Sequence, residues 1–189
     1  MSLTHEFENK INSLTAAATI IAVIDMHFHF VDFLQNTDGF DNLLAAMQKG
    51  NISKNVVFGI PVKKKWAYFE PHKPTYYLGD NAKCYYFSSS DEIVAQAFMK
   101  LTKEQQKRFA PTLCAFNPTD CCAIDYIKYM FEKYPFWKGI GEVLLRHDDL
   151  TNLTLEETAR ANHPAMNAIY DFCAEKQIPI CLHQNSTSV

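Results

Sequence analysis

Ile24-Asp25-Met26-His27-Phe28-His29-Phe30 closes the first apolar run of the chain and carries two histidines one residue apart. The run at 20–26 predicts a β-strand, and because strand side chains alternate between faces, Asp25, His27 and His29 are expected on one side while the strand lasts. Two imidazoles at one strand's carboxyl end are suited to a metal: neutral imidazole is the commonest metal-binding side chain, and same-face positions let both rings converge on one ion. The pair alone is a weak signal. With 7 histidines in 189 residues, chance yields about 0.26 such pairs, and two satisfied histidines on a half-buried strand are the bland alternative.

Four further strand-like runs follow, at 54–60, 110–116, 138–143 and 178–182. Helical patterns lie between them. One over 41–49 ends at Gly50, one over 91–100 follows a serine run, one over 119–134 stops before Pro135, and one over 164–176 opens on Pro164. In the third, Ile124, Ile127, Tyr129, Met130 and Phe131 form the apolar stripe that should pack on the sheet. This alternation predicts an α/β fold with a parallel sheet, about five βα units in one domain over 1–189.

The segment 61–90 breaks the rhythm. It has no clear period and holds eight aromatic rings, among them Trp66, Tyr68, Phe69, Tyr76, Tyr77 and Tyr86. A connection of that length is a functional feature or disordered, and its ring content argues for the former. Following the second strand, it is expected at the carboxyl ends of the strands as a lid-like insertion, with an oligomer contact as the rival reading.

The other strand ends add polar groups of the same kind. Lys138-Gly139-Ile140-Gly141-Glu142-Val143 places a carboxylate at the end of the fourth run, where an unpaired charge is costly to bury and calls for a cation. Ile178-Pro179-Ile180-Cys181-Leu182-His183 ends in a third histidine. In a parallel barrel these ends face a shared mouth, so His27, His29, Glu142 and His183 are expected at one centre. Arg146, at the parity of Glu142, and His72, in the aromatic segment, are candidate substrate contacts; a salt bridge to Asp148 or Asp149 and a solvated imidazole are their plainer readings. His163 reads as a helix-start residue, and Cys121-Cys122 as a packing pair.

Composition narrows the function classes. A net charge of -3 and a pI near 6.1 offer no basic field for nucleic acid. The three lysines at 63–65 read as a solvated surface. The apolar stretch at 14–26 is shorter than the ~20 residues that span a bilayer, and no positive n-region precedes it. Six cysteines show no ligand-like spacing, and several sit in apolar runs where reduced, buried thiols are usual. The expectation is a cytoplasmic protein acting on a small molecule, with no nucleic-acid or membrane partner and a homo-oligomer left open.

The pieces IDMHFHF, KGIGEV and IPICLHQN, in that order along nearly the whole chain, resemble the amidohydrolase superfamily of metal-dependent (β/α) barrel hydrolases. The resemblance implies a TIM-barrel fold with one or two divalent metals, zinc above all. It gives His27 and His29 the more buried ion, makes Glu142 the bridging carboxylate and catalytic residue, and assigns His183 to the second ion. It implies hydrolysis of an amide or ester-like bond, with nonoxidative decarboxylation in a related branch as the alternative. A full barrel takes eight βα units and about 250 residues. The family's sixth-strand histidine and eighth-strand aspartate have no counterpart here, so a partial barrel corresponding to the N-terminal portion is expected, and a non-catalytic fragment is the contrasting reading.

Overall fold

The computed structural model describes residues 22–75, 82–87, 89–147, 151, 154–155 and 158–185. Five parallel strands form one sheet in the order β1 (Val23–His29), β2 (Ile52–Phe58), β5 (Phe109–Leu113), β6 (Gly139–Leu144) and β7 (Ile180–His183). A two-stranded antiparallel hairpin, β3 (Val62–Lys64) and β4 (Cys84–Tyr86), stands apart. The helices are α1 (Gly39–Lys49), α2 (Ser89–Met99), α3 (Lys103–Gln106), α4 (Ala123–Lys133) and α5 (Pro164–Lys176). Neighbouring strands are successive βα units, as a right-handed parallel winding requires. Among the described residues the sheet is open, with β1 and β7 as its edges. The fold is therefore α/β with a parallel sheet, compatible with part of a (β/α) barrel.

One core joins sheet and helices: Leu43 and Met47 of α1, Val94 and Phe98 of α2, Ile127 and Met130 of α4, and Met166 and Ile169 of α5 pack with Val57, Leu113, Ile140 and Val143. On α4 the expected stripe is narrower than its sequence suggests, because Tyr129 is exposed and Ile127 and Met130 carry the burial. His163 caps α5, its Nδ1 accepting from the Ala165 amide at 3.2 Å, as a helix-start residue should. Among the described residues no helix is long and apolar enough to cross a membrane.

The edge strand β1 keeps Val23, Ile24 and Met26 exposed, which leaves apolar surface where a parallel sheet is normally covered. Two smaller expectations fail. Cys121 and Cys122 are exposed rather than packed, since α4 starts only at Ala123 and both precede its buried face. Lys64 is buried, because strand alternation on β3 turns Val62 and Lys64 the same way.

The hairpin is fastened at the carboxyl ends of the sheet strands. The Lys64 amide donates to the Phe33 carbonyl just past β1, and the Tyr86 hydroxyl donates to the Leu144 carbonyl at the end of β6. Ile60, Val62, Cys84 and Leu144 form a small apolar cluster there, joined by Phe33 and Tyr86. Trp66, Tyr68 and Phe69 point outward and are exposed; Tyr76 and Tyr77 lie outside the described residues.

A buried carboxylate ties the same ends together. Asp91, in the first turn of α2, is fully buried and accepts from the amides of Cys114 (2.9 Å) and Ala115 (2.8 Å), just past β5, and from the Tyr126 hydroxyl of α4 (3.0 Å). Burial outweighs these donors and pushes its pKa from 3.8 up to about 6. The folded carboxyl thus holds its proton more tightly than the unfolded one, so its contribution is fully present below about pH 4 and lost as pH rises through about 6. Against Asp91→Asn, wild-type stability is expected to fall over that window by about 2–3 kcal/mol. Thermal melts of both proteins from about pH 4 to about pH 7 check it; a constant difference contradicts it.

Candidate metal centre

Alternation keeps His27 and His29 on one side of β1, but an irregularity that the alternation rule misses separates Asp25 from them. β1 pairs with β2 in register at Asp25 and Asn55 and again at Phe28 and Val57, with a shift between Asp25 and Phe28. One residue of β1 is therefore extra there, and such a bulge re-aims side chains. Asp25 leaves the cluster: its carboxylate accepts from the His27 amide at 3.0 Å and from Asn55 Nδ2 at 3.1 Å. His27 and His29 stay together, their Nε2 atoms 3.1 Å apart and both rings edge-on to Phe58, with centroids 4.8 and 4.9 Å from it.

Glu142 meets them from β6. Its Oε2 lies 3.3 Å from His29 Nε2, and its Oε1 lies 3.7 Å from His27 Nε2. β2 and β5 separate β1 from β6 in the sheet. In a flat sheet, three strand spacings of about 4.8 Å hold parallel-pointing side chains about 14 Å apart. The contact therefore reports strong curvature, as in the wall of a barrel. From the edge strand β7, His183 Nδ1 lies 2.5 Å from Glu142 Oε1. The histidine side chains are partly open, at 44% for His27, 36% for His29 and 30% for His183, whereas Glu142 is 8% exposed. The charge is sheltered and the imidazoles remain accessible from solvent.

Electrostatics follow from that arrangement. Burial pushes the Glu142 carboxyl upward, but the His183 hydrogen bond and the positive potential of His183, His29 and His27 outweigh it and leave the pKa lowered, so the carboxylate persists. Burial lowers the pKa of His29, with Glu142 opposing and His27 and His183 adding to the effect, which favours the neutral imidazole with one ring nitrogen able to act as a donor to a metal. The Glu142 hydrogen bond raises His183 against its burial.

The donor set fits a divalent ion. Ligands at the 2.0–2.1 Å of zinc in tetrahedral geometry stand about 3.3 Å from one another. The two Nε2 atoms at 3.1 Å and His29 Nε2 with Glu142 Oε2 at 3.3 Å lie near that value, while His27 Nε2 stands 3.7 Å from the other oxygen, Oε1. His27, His29 and Glu142 are thus brought together as one donor group. His183 joins it through Glu142 rather than as a fourth member. Arg146 and His72 are exposed, and neither belongs to this group; Asp148 and Asp149 lie outside the described residues.

Two neighbours escape a reading by motif. His147 packs its ring edge-on to His183, centroids 4.8 Å apart, and Thr112 holds the Gly141 carbonyl at 2.6 Å. The place of His147 beside Arg146, directly after the fourth run, marks it as a polar group near the same strand ends, but no motif points to its contact with His183. Thr112 lies inside an apolar strand and offers no signal. No known protein family, curated protein or solved structure matches the chain.

Proposed function

We propose that the chain carries the metal centre of a metal-dependent hydrolase of amidohydrolase type, built on five strands of a TIM-like (β/α) barrel and acting on an amide or ester-like bond of a small molecule. The observation that carries this reading is the convergence of His27 Nε2, His29 Nε2 and the Glu142 carboxylate, whose Oε2 lies nearest His29 and whose Oε1 lies nearest His27, at separations close to those of zinc ligands. When bound, a divalent ion such as zinc supplies Lewis-acid polarisation and lowers the pKa of water. His27 and His29 offer neutral nitrogen donors, and the buried Glu142 offsets the cation's charge. Glu142 Oε1 and His183 Nδ1 lie at hydrogen-bond distance, a pair suited to accept a proton from an attacking water and return it to a leaving group. The hairpin, fastened at the carboxyl ends of β1, β2 and β6, is proposed as a lid-like element for this centre, and Arg146 and His72 are the exposed groups proposed to contact substrate.

Incubation of the zinc-loaded chain with a panel of N-acyl and ester compounds tests the reading. Metal-dependent release of the carboxylic acid, lost in His29→Ala, is the expected result. Carbon dioxide release from aromatic acids instead identifies a decarboxylase, and zinc binding with neither activity identifies a non-catalytic metal-binding module.

A further inference from the structure

We propose that Thr112 is a positioning residue for Glu142, acting through the carbonyl of Gly141; the inference rests on the reading of Glu142 as a metal donor. Strand pairing fixes β6 up to Ile140. Thr112 pairs with Gly139 and Leu113 with Ile140 on one side, and Ile140 pairs with Ile180 on the other. The β6–β7 register then shifts and resumes at Val143 with Leu182. Gly141 and Glu142, the stretch that must aim the carboxylate, fall in the gap between paired positions.

The Thr112 hydroxyl acts at that gap. It is buried and donates a 2.6 Å hydrogen bond to the Gly141 carbonyl, the group directly preceding the Glu142 amide. The methyl of the same side chain lies against the strand two residues earlier, where a Cβ added to Gly139 stands 3.2 Å from Thr112 Cγ2. One threonine therefore sets both the distance of β6 from β5 and the orientation of the peptide carbonyl that leads into Glu142. A buried hydroxyl that holds the peptide carbonyl next to the backbone of Glu142 acts as an outer-shell partner through the main chain, and such partners tune metal affinity through the ligands they orient.

Thr112→Val keeps the shape and removes the donor, whereas Thr112→Ser keeps the donor and removes the methyl. Both variants of the full chain are titrated with Co²⁺ and followed by visible absorption, and the imidazole ¹⁵N shifts of His183 are recorded in the metal-free proteins. Thr112→Val is expected to weaken Co²⁺ binding about tenfold or more, with altered absorption bands and displaced His183 shifts, while Thr112→Ser stays within about twofold of wild type on each. A valine variant that does not fold is replaced by Thr112→Ala, read in the same way. Wild-type affinity and unchanged His183 shifts in the valine variant overturn the proposal, as do equal losses in the serine and valine variants. Wild-type protein that binds no Co²⁺, with His183 shifts that still respond to valine and not to serine, removes the metal reading and leaves the positioning of Glu142 standing.

Discussion

Replacing Glu142 with glutamine is expected to lower zinc affinity by more than about 100-fold, since losing an outer-shell partner alone costs about 10–100-fold and Glu142 is proposed as a donor itself. The substitution preserves shape and leaves an oxygen for His183, but removes the one negative charge that His27, His29 and His183 share. At 8% exposure, that charge is poorly replaced by solvent. Glu142 Oε1 also faces the His183 side, so a second, bridged ion should be lost before the first. Isothermal titration with zinc on wild type, Glu142→Gln and His183→Ala reads both effects. Affinity within about twofold of wild type in Glu142→Gln removes the carboxylate from the metal centre.

The second large effect is on stability. Gly141 has φ +121°, a backbone conformation that L side chains rarely adopt, and a Cβ added there stands 2.5 Å from the Cys181 carbonyl oxygen and 2.8 Å from Cys181 Cβ. Gly141→Ala must therefore push β6 and β7 apart, with a backbone penalty of about 1–3 kcal/mol and an overpacking penalty of similar size. A total loss of about 3 kcal/mol or more is expected in denaturant melts. Because β7 carries His183 two residues beyond Cys181, the His183 bond to Glu142 should break as well, displacing the His183 imidazole ¹⁵N shifts. A loss under about 0.5 kcal/mol contradicts the close strand approach.

The parallel sheet was legible from short apolar runs at nearly the right places, because burial on both faces demands continuous apolar sequence. The run at 138–143 lies within one residue of β6 at each end, the run at 54–60 lies two residues later than β2, and the run at 110–116 extends three residues past the end of β5. The first strand lies three residues later than its run, so the histidine pair sits inside β1. Glu142 stood out because a carboxylate between Gly141 and Val143 in an apolar strand needs a partner. Other parts of the site depend on contacts that no local pattern encodes. The extra residue in β1 that separates Asp25 from the histidines is set by pairing with β2. The hairpin that buries Lys64 forms between segments twenty residues apart. Asp91 looked like an ordinary helix-start acid until the fold placed the end of β5 over it.

A zinc-anomalous difference map from crystals of the zinc-loaded chain addresses the central claim most directly. The expected result is a peak within about 2.0–2.2 Å of His27 Nε2, His29 Nε2 and a Glu142 carboxylate oxygen. A map with no peak among these three side chains, or with its peak on other residues, contradicts it.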